Sequence, residues 1–149
     1  MGNPIILKHA RGAPGLRLFG LGRNFLPIHG VKQLQLLLRE NTSWANQRST
    51  KDIKKMLSHS TVVVSMWESK TMIGFGRAST DRIYRAVLWD VVIDKNYQSK
   101  GFGEQLIHSI LKHPYLLGVE KIYIMTTNCQ NFYSKIGFNI EKNQKLMTL

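Results

Sequence analysis

The sequence predicts an α+β domain built on a mixed sheet, and three observations predict it. Residues 61–94 hold three β-branched or alternating runs separated by short polar turns. A helical stripe of Phe102, Leu106, Ile107, Ile110 and Leu111 comes next. A further strand-like run occupies 121–126. Short turns imply antiparallel neighbours, whereas a strand-helix-strand unit requires a parallel pair with a right-handed crossover.

Each element has its own signal. Residues 1–24 are rich in Arg and Gly and poor in acids. They read as an unpaired tail, a cloning remnant or a vestigial targeting segment, with a short first strand within 16–24 as the remaining choice. No apolar core of signal-peptide type is present, and Ile6 stands where N-myristoylation asks for Ser or Thr. The domain proper is expected over 25–149. Val31, Leu34, Leu37 and Leu38 predict a helix over 30–40. Thr50 is the expected cap of a second helix that buries Ile53, Met56 and Leu57.

Residues 61–67 and 71–79 read as a hairpin about Ser69-Lys70. On its second strand Gly74, Gly76 and Ala78 share a bare face, which suits either a ligand or a packed helix. The strand over 85–94 alternates, with Val87, Trp89, Val91 and Ile93 on one face and Leu88, Asp90 and Val92 on the other. Apolar residues on both faces mark a central, doubly covered strand. Pro114 bounds the following helix. A short helix over 128–135 stops at Gly137, and 138–141 with 145–148 are expected to close the sheet as a hairpin around Asn143.

Composition narrows the class. The chain has 149 residues, 43% of them hydrophobic, which suits one domain with a core. No apolar run approaches the roughly 18 residues of a membrane span. One cysteine, Cys129, excludes an intramolecular disulfide and a multi-cysteine zinc site, and the histidines lack ligand spacing, so no metal site is expected. A cysteine protease signature around Cys129 is also missing. The net charge of +12 divides into +8 over residues 1–60 and +4 over 61–149. Such a balance attracts polyanions, but no basic run is unbroken, so a soluble enzyme is preferred to a dedicated nucleic-acid binder.

The chemistry concentrates after the third of these strands. Val91-Val92-Ile93 leads through a polar turn into Gln98-Ser99-Lys100-Gly101-Phe102-Gly103, where a helix begins. Backbone N–H groups at such a turn converge on a phosphate. A P-loop would need Gly-Lys-Ser/Thr, and a dinucleotide fingerprint would need Gly where Leu106 stands.

Residues 93–103 resemble the pyrophosphate-binding motif of the Gcn5-related N-acetyltransferases. Residues 131–138, with Tyr133 before Gly137-Phe138, resemble that family's late helix motif. Thirty-five residues separate Gln98 from Tyr133, as the family's helix-strand-helix segment requires. Residues 73–78, 84–92 and Phe132-Tyr133 are closer to its plastid and cyanobacterial branch, which includes plant serotonin N-acetyltransferase-like enzymes and an acetyltransferase encoded in red-algal plastid genomes. Lys95 and Ser99 depart from the usual Pro and Gly. Thr126 stands where many members carry Asn, with Asn128 close enough to substitute.

The resemblance implies an acyl-CoA N-acyltransferase fold whose parallel pair splays around acetyl-CoA. The pantetheine arm is expected along Val91, Val92 and Ile93, in the manner of an added strand. Gln98, Ser99, Lys100, Gly101, Phe102, Gly103 and Glu104 are expected at the pyrophosphate, and Asn128 near the cofactor. Tyr133 is the expected general acid for the leaving thiolate. Asp90, a lone carboxylate in an apolar strand, is either the base, a holder of the acceptor ammonium, or the partner of Arg77 or Arg85. Glu68, His59, a water chain and Glu120 are other base candidates.

The implied reaction is acetyl transfer to a primary amine in a ternary complex. The acceptor is an arylalkylamine, a protein lysine or a protein N-terminus, and the expected setting is the plastid stroma. The alternative is a non-enzymatic module of the same fold, with a basic surface contacting nucleic acid or a protein. The oligomeric state is open.

Overall fold

The computed structural model describes residues 2–11, 17–18 and 28–149. The main sheet has five strands: β1 (Ile5–Lys8), β4 (Val62–Glu68), β5 (Thr71–Thr80), β6 (Arg85–Ile93) and β7 (Lys121–Ile124), in the order β1-β4-β5-β6-β7. All neighbours are antiparallel except β6 and β7, which are parallel. A separate pair joins β2 (Arg17–Leu18) to β3 (Ile28–His29). Of the strand expected within 16–24, only Arg17 and Leu18 fall among the described residues.

Helices cover both faces, as the apolar runs of β4 and β5 require. On one side α1 (Gly30–Asn41) and α2 (Thr50–Ser58) bury Leu34, Leu38, Ile53 and Leu57 against Trp67, Phe75 and Val92. On the other, α3 (Phe102–Leu111) buries Leu106, Ile107 and Ile110 against Val64, Met66, Ile73 and Leu88, and Tyr133 of α4 (Gln130–Ile136) joins them. Each such aliphatic side chain contributes about 1.5–3 kcal/mol when fully buried.

Three expectations change, and the choice left open for the bare face of β5 is decided. Ile5–Lys8 is an edge strand on β4, with Ile6 packing towards the α3 side and Leu7 towards α1. Four residues between Pro4 and a polar stretch are too short to display a period. Ser49, one residue before Thr50, caps α2 by accepting the Asp52 N–H at 3.1 Å.

Residues 138–149 form no hairpin. Lys121–Glu141 (2.8 Å) and Tyr123–Gln144 (2.9 Å) lay this segment beside β7 through side chains, and Ile140 and Leu146 stay exposed. Without a second covering layer, their alternation has nothing to bury. Finally, the bare face of β5 serves helix packing. A Cβ on Gly76 would lie 2.6 Å from Cδ1 of Ile110, and one on Gly74 would lie 2.7 Å from Cδ1 of Ile93.

Candidate active site

Strand β6 has two unlike halves. Arg85 to Leu88 pair with Lys121 to Ile124 of β7. Beyond Leu88 that edge of β6 has no ladder partner among the described residues, so the backbone of Trp89 to Ile93 faces an opening. The β5–β6 register also shifts by one between Phe75 and Arg77, and Asp90 adopts φ +53°. This is a β-bulge. A non-glycine residue in the left-handed region costs about 1 kcal/mol, least for Asp and Asn.

The bulge overturns strict alternation. Leu88, Val91 and Ile93 all join the α3-side cluster, and Val92 turns to the α1 side. The side chains of Val91, Val92 and Ile93 thus anchor the strand in both cores, and only its backbone edge is open to a ligand.

The following turn is heavily braced. Asp94 accepts the Asn96 N–H at 2.8 Å and begins a 3-10 turn over Lys95–Tyr97. Gln98 Nε2 donates to the Ile93 carbonyl at 3.0 Å, which fastens the turn to the strand end. The Lys95 N–H donates to Asn41 Oδ1 at 2.8 Å, and the Tyr97 hydroxyl donates to the Glu68 carboxylate. That bond holds the Tyr97 phenol pKa above its usual value. Glu68, a candidate base by sequence, is therefore engaged in bracing.

Ser99 (φ +60°) and Gly101 (φ +79°) then swing the chain into α3. Gly101 is the N-cap and has no side chain to bond the first turn, so the first intrahelical bond is Gln105 N–H to Gly101 carbonyl at 3.1 Å. The N–H groups of Phe102, Gly103 and Glu104 keep no intrachain partner among the described residues. Open N–H groups at a positive helix end suit an anion.

A Cβ on Gly101 would meet nothing within 4 Å, so its surroundings are open. Gly103 differs: a Cβ there would lie 3.1 Å from Cζ of Phe132. It admits α4 rather than a ligand. Lys100 bends back to the Asn96 carbonyl at 2.9 Å and lies over the Tyr97 ring.

Helix α4 seats Tyr133 in the same core as Leu88, Val91 and Ile93. Its ring meets Phe132 and Phe138 edge-on, with centroids 5.0 and 5.9 Å away. Burial, with a smaller contribution from Cys129, pushes the phenol pKa up to about 12. The hydroxyl has no hydrogen-bond partner among the described residues. Thr126 Oγ1 accepts the Cys129 N–H at 3.0 Å and shapes the approach to α4. Asn128 is exposed beside it and accepts a bond from Cys129 Sγ at 3.4 Å.

Asp90 is paired. Its Oδ2 accepts Arg77 Nε at 2.6 Å and Arg48 NH1 at 2.9 Å, and the side chain is 5% exposed. Arg85, the other expected partner, instead bonds Glu120 at 3.2 Å. That pair lies where β6 and β7 begin, at the opposite end of the sheet from the turn, so Glu120 does not join the site. The ring of His59 is exposed at the end of α2, beside the Lys55 carbonyl. Arg48 went unnoticed in the sequence, because a loop arginine 42 residues before its partner has no periodic signal.

Two grooves flank these elements. One, about 520 Å³, is lined by residues 43–48 and Asp52, including Trp44, Arg48 and Asp52. The other, about 720 Å³, runs between β7, α4 and the C-terminal segment and includes Tyr133. The Gln98–Gly103 turn lines neither of them.

This arrangement has close counterparts. The acetyltransferase (GNAT) family model matches residues 31–138. An uncharacterized N-acetyltransferase ycf52 of Porphyra purpurea is 30% identical over 106 residues, which are 68% of this chain and 60% of that protein. GCN5-related N-acetyltransferase 1, chloroplastic, of Arabidopsis thaliana is 28% identical over 95 residues, 62% of this chain and 48% of that one. The chain spans about 60% of the length of the first of these relatives.

In fold, it resembles an acetyltransferase of the GNAT family from Xanthomonas campestris, with TM-score 0.75 and 19% identity, covering 99% of this chain and 94% of that one. It also resembles a GNAT family protein from Streptococcus pneumoniae, with TM-score 0.71 and 17% identity over 98% of this chain and 96% of that one. The match over residues 31–138 takes in the splayed strands, the uncapped helix and Tyr133, and the chain belongs to the GNAT acetyltransferase family.

Proposed function

We propose that this chain transfers the acetyl group of acetyl-CoA to a primary amine by direct attack in a ternary complex. The observation that carries the reading is the continuity of two binding elements. The open backbone edge of Trp89–Ile93 ends six residues before the turn Ser99–Gly101, which leads to the N–H groups of Phe102, Gly103 and Glu104 that have no partner among the described residues. A ligand with an amide-bearing arm and a pyrophosphate would use both elements at once. The arm would lie along Val91, Val92 and Ile93 as an added strand, and a backbone N–H there would polarise the thioester carbonyl. The pyrophosphate would rest on the N-terminus of α3, with Ser99 and Lys100 beside it and Gln98 holding the turn. Asn128 would border the cofactor beside Tyr133.

Tyr133 is the acid in this reading. With its pKa raised to about 12 the phenol stays protonated across the working range. As the C–S bond breaks, its proton passes to the departing thiolate, whose thiol titrates near 8.5, and the proton the amine loses in forming the amide returns to the phenol through water. The acceptor class proposed is an arylalkylamine, a protein lysine or an N-terminus. The chloroplastic relatives support a plastid setting.

Two measurements test the reading. Saturating acetyl-CoA raises the melting temperature, because a ligand of the native state must stabilise it. Acetyl-CoA is then consumed in the presence of tryptamine, a lysine peptide or a free N-terminal peptide. No thermal shift would sink the donor assignment. A shift without turnover on any amine, together with salt-sensitive RNA binding, would favour a binding module.

A further inference from the structure

The bulge at Asp90 and the loop between α1 and α2 meet in one ionic knot. Asp90 Oδ2 takes Arg77 from the neighbouring strand at 2.6 Å and Arg48 from the loop at 2.9 Å. Both arginines have further holds. Arg77 reaches Ser60 Oγ at 3.4 Å and lies over the Trp89 ring. Arg48 touches Met56 Sδ at 3.3 Å, and its backbone carbonyl accepts Gln35 Nε2 at 3.1 Å. Its guanidinium faces the ring of Trp44, which is 55% exposed. The loop from Ser43 to Arg48 lines an open groove. Asp90 is thus the point where this groove is tied to the strand edge at Val91–Ile93.

Oδ2 is doubly engaged and the side chain is almost wholly enclosed, which leaves it poorly placed to collect a proton from an arriving amine. Its backbone, by contrast, is in the conformation that re-aims the strand. We propose that Asp90 and Arg48 are positioning residues. Asp90 forms the bulge that turns the Val91–Ile93 edge towards the thioester, and Arg48 locks the Ser43–Arg48 loop onto that bulge, so that the groove beside Trp44, which this proposal assigns to the acceptor, and the donor strand are set by one contact. This rests on the acetyl-transfer reading, and its test includes a readout independent of activity.

Four variants separate the roles. Asp90→Gly keeps the bulge, since glycine takes φ +53° without steric cost, but removes the knot. Asp90→Ala removes the knot and strains the bulge. Arg48→Ala unties the loop from Asp90 while leaving Arg77 in place, and Arg48→Lys keeps a charge in the same place. Hydrogen exchange on the free protein is expected to show faster exchange at residues 91–93 in Arg48→Ala, although Arg48 lies on another element. The Asp90 variants are expected to show faster exchange at 43–48.

With tryptamine and a lysine peptide as acceptors, Arg48→Ala raises acceptor KM about tenfold with kcat within about threefold, and Arg48→Lys recovers part of it. Asp90→Ala lowers kcat by about 10- to 100-fold, and Asp90→Gly regains most of kcat but retains the raised KM. The acidic limb of the rate profile is unchanged in Asp90→Gly. Loss of that limb would make Asp90 the base and overturn the proposal. So would exchange at 91–93 that is indifferent to Arg48, a result that stands even if neither amine is acetylated.

Discussion

The two halves of β6 are built from similar residues and do different work. Ala86 to Leu88 are zipped to β5 on one side, and Arg85 to Leu88 to β7 on the other. Trp89 to Ile93 lose β7, take a bulge at Asp90 and end against a braced turn. Ala86, Val87 and Leu88 in one half and Trp89, Val91, Val92 and Ile93 in the other are all apolar, so hydrophobicity does not separate them. What separates them is the number of backbone edges that are satisfied within the fold. The zipped half serves as scaffold, and the half with the open edge is the one we propose as the binding surface, held in register by the scaffold below it.

Substitutions in each half should therefore split stability from binding. Leu88, 2% exposed, lies in the zipped half, so Leu88→Ala leaves a cavity and costs about 2–5 kcal/mol in denaturant unfolding. Acetyl-CoA affinity of the remaining folded protein stays within about threefold. If that variant lost affinity selectively, the division of β6 would be wrong.

Gly101→Asp is the reverse case. Asp at φ +79° costs about 1 kcal/mol, so the melting temperature falls by only about 2–4 °C. Its carboxylate would occupy the N–H groups proposed for the pyrophosphate, and acetyl-CoA binding by calorimetry is expected to weaken at least about 100-fold, or about 2.7 kcal/mol. Unchanged affinity would remove the pyrophosphate from this turn.

Tyr133→Phe tests the chemistry placed against the open half. Turnover falls about 10- to 50-fold while acetyl-CoA affinity stays within about threefold. A variant with full turnover would exclude Tyr133 as the acid.

The smallest effect lies away from β6 and serves as its control. Burial holds His9 at a pKa of about 4, where its ring meets Ser65 Oγ at 2.6 Å. The unfolded chain binds a proton at His9 below pH 6.5 that the folded chain refuses until about pH 4. Stability is therefore lost as the pH falls through that window. His9→Gln flattens this slope in pH-dependent unfolding by up to about 1 kcal/mol, after allowance for solvent screening, without changing acetyl-CoA affinity. His113, also lowered by burial, leaves a residual slope of the same sign. An unaltered slope in His9→Gln would remove His9 as its source.

Local signals are legible where an apolar period meets a clear terminator. Val31, Leu34, Leu37 and Leu38 placed α1, and Gly137, at φ +113°, ended α4 as expected. Gly101 was legible as a special turn residue, but Gly103 was not distinguishable from it. One glycine serves a backbone angle and the other serves the approach of Phe132, a residue of another helix. Alternation predicted two clean faces for β6 and failed at Asp90, because a bulge depends on how the neighbouring strand is paired. The edge strand at Ile5–Lys8 was illegible for the same reason, since only β4 beside it makes it a strand.

The sequence by itself determined the class of the fold, the position of its helices and central strands, and the strand-turn-helix that suits a phosphate. These follow from patterns within a few turns of chain, where sterics and hydrophobic period act locally. Only the tertiary structure decided that β6 parts from β7 at Leu88, that Gly74 and Gly76 admit side chains rather than a ligand, and that Asp90 is shared between Arg77 and Arg48. Each of these depends on a partner at least 13 residues away, as Arg77 is from Asp90. Pairing at such distance is set by packing of the whole domain, which no local window contains.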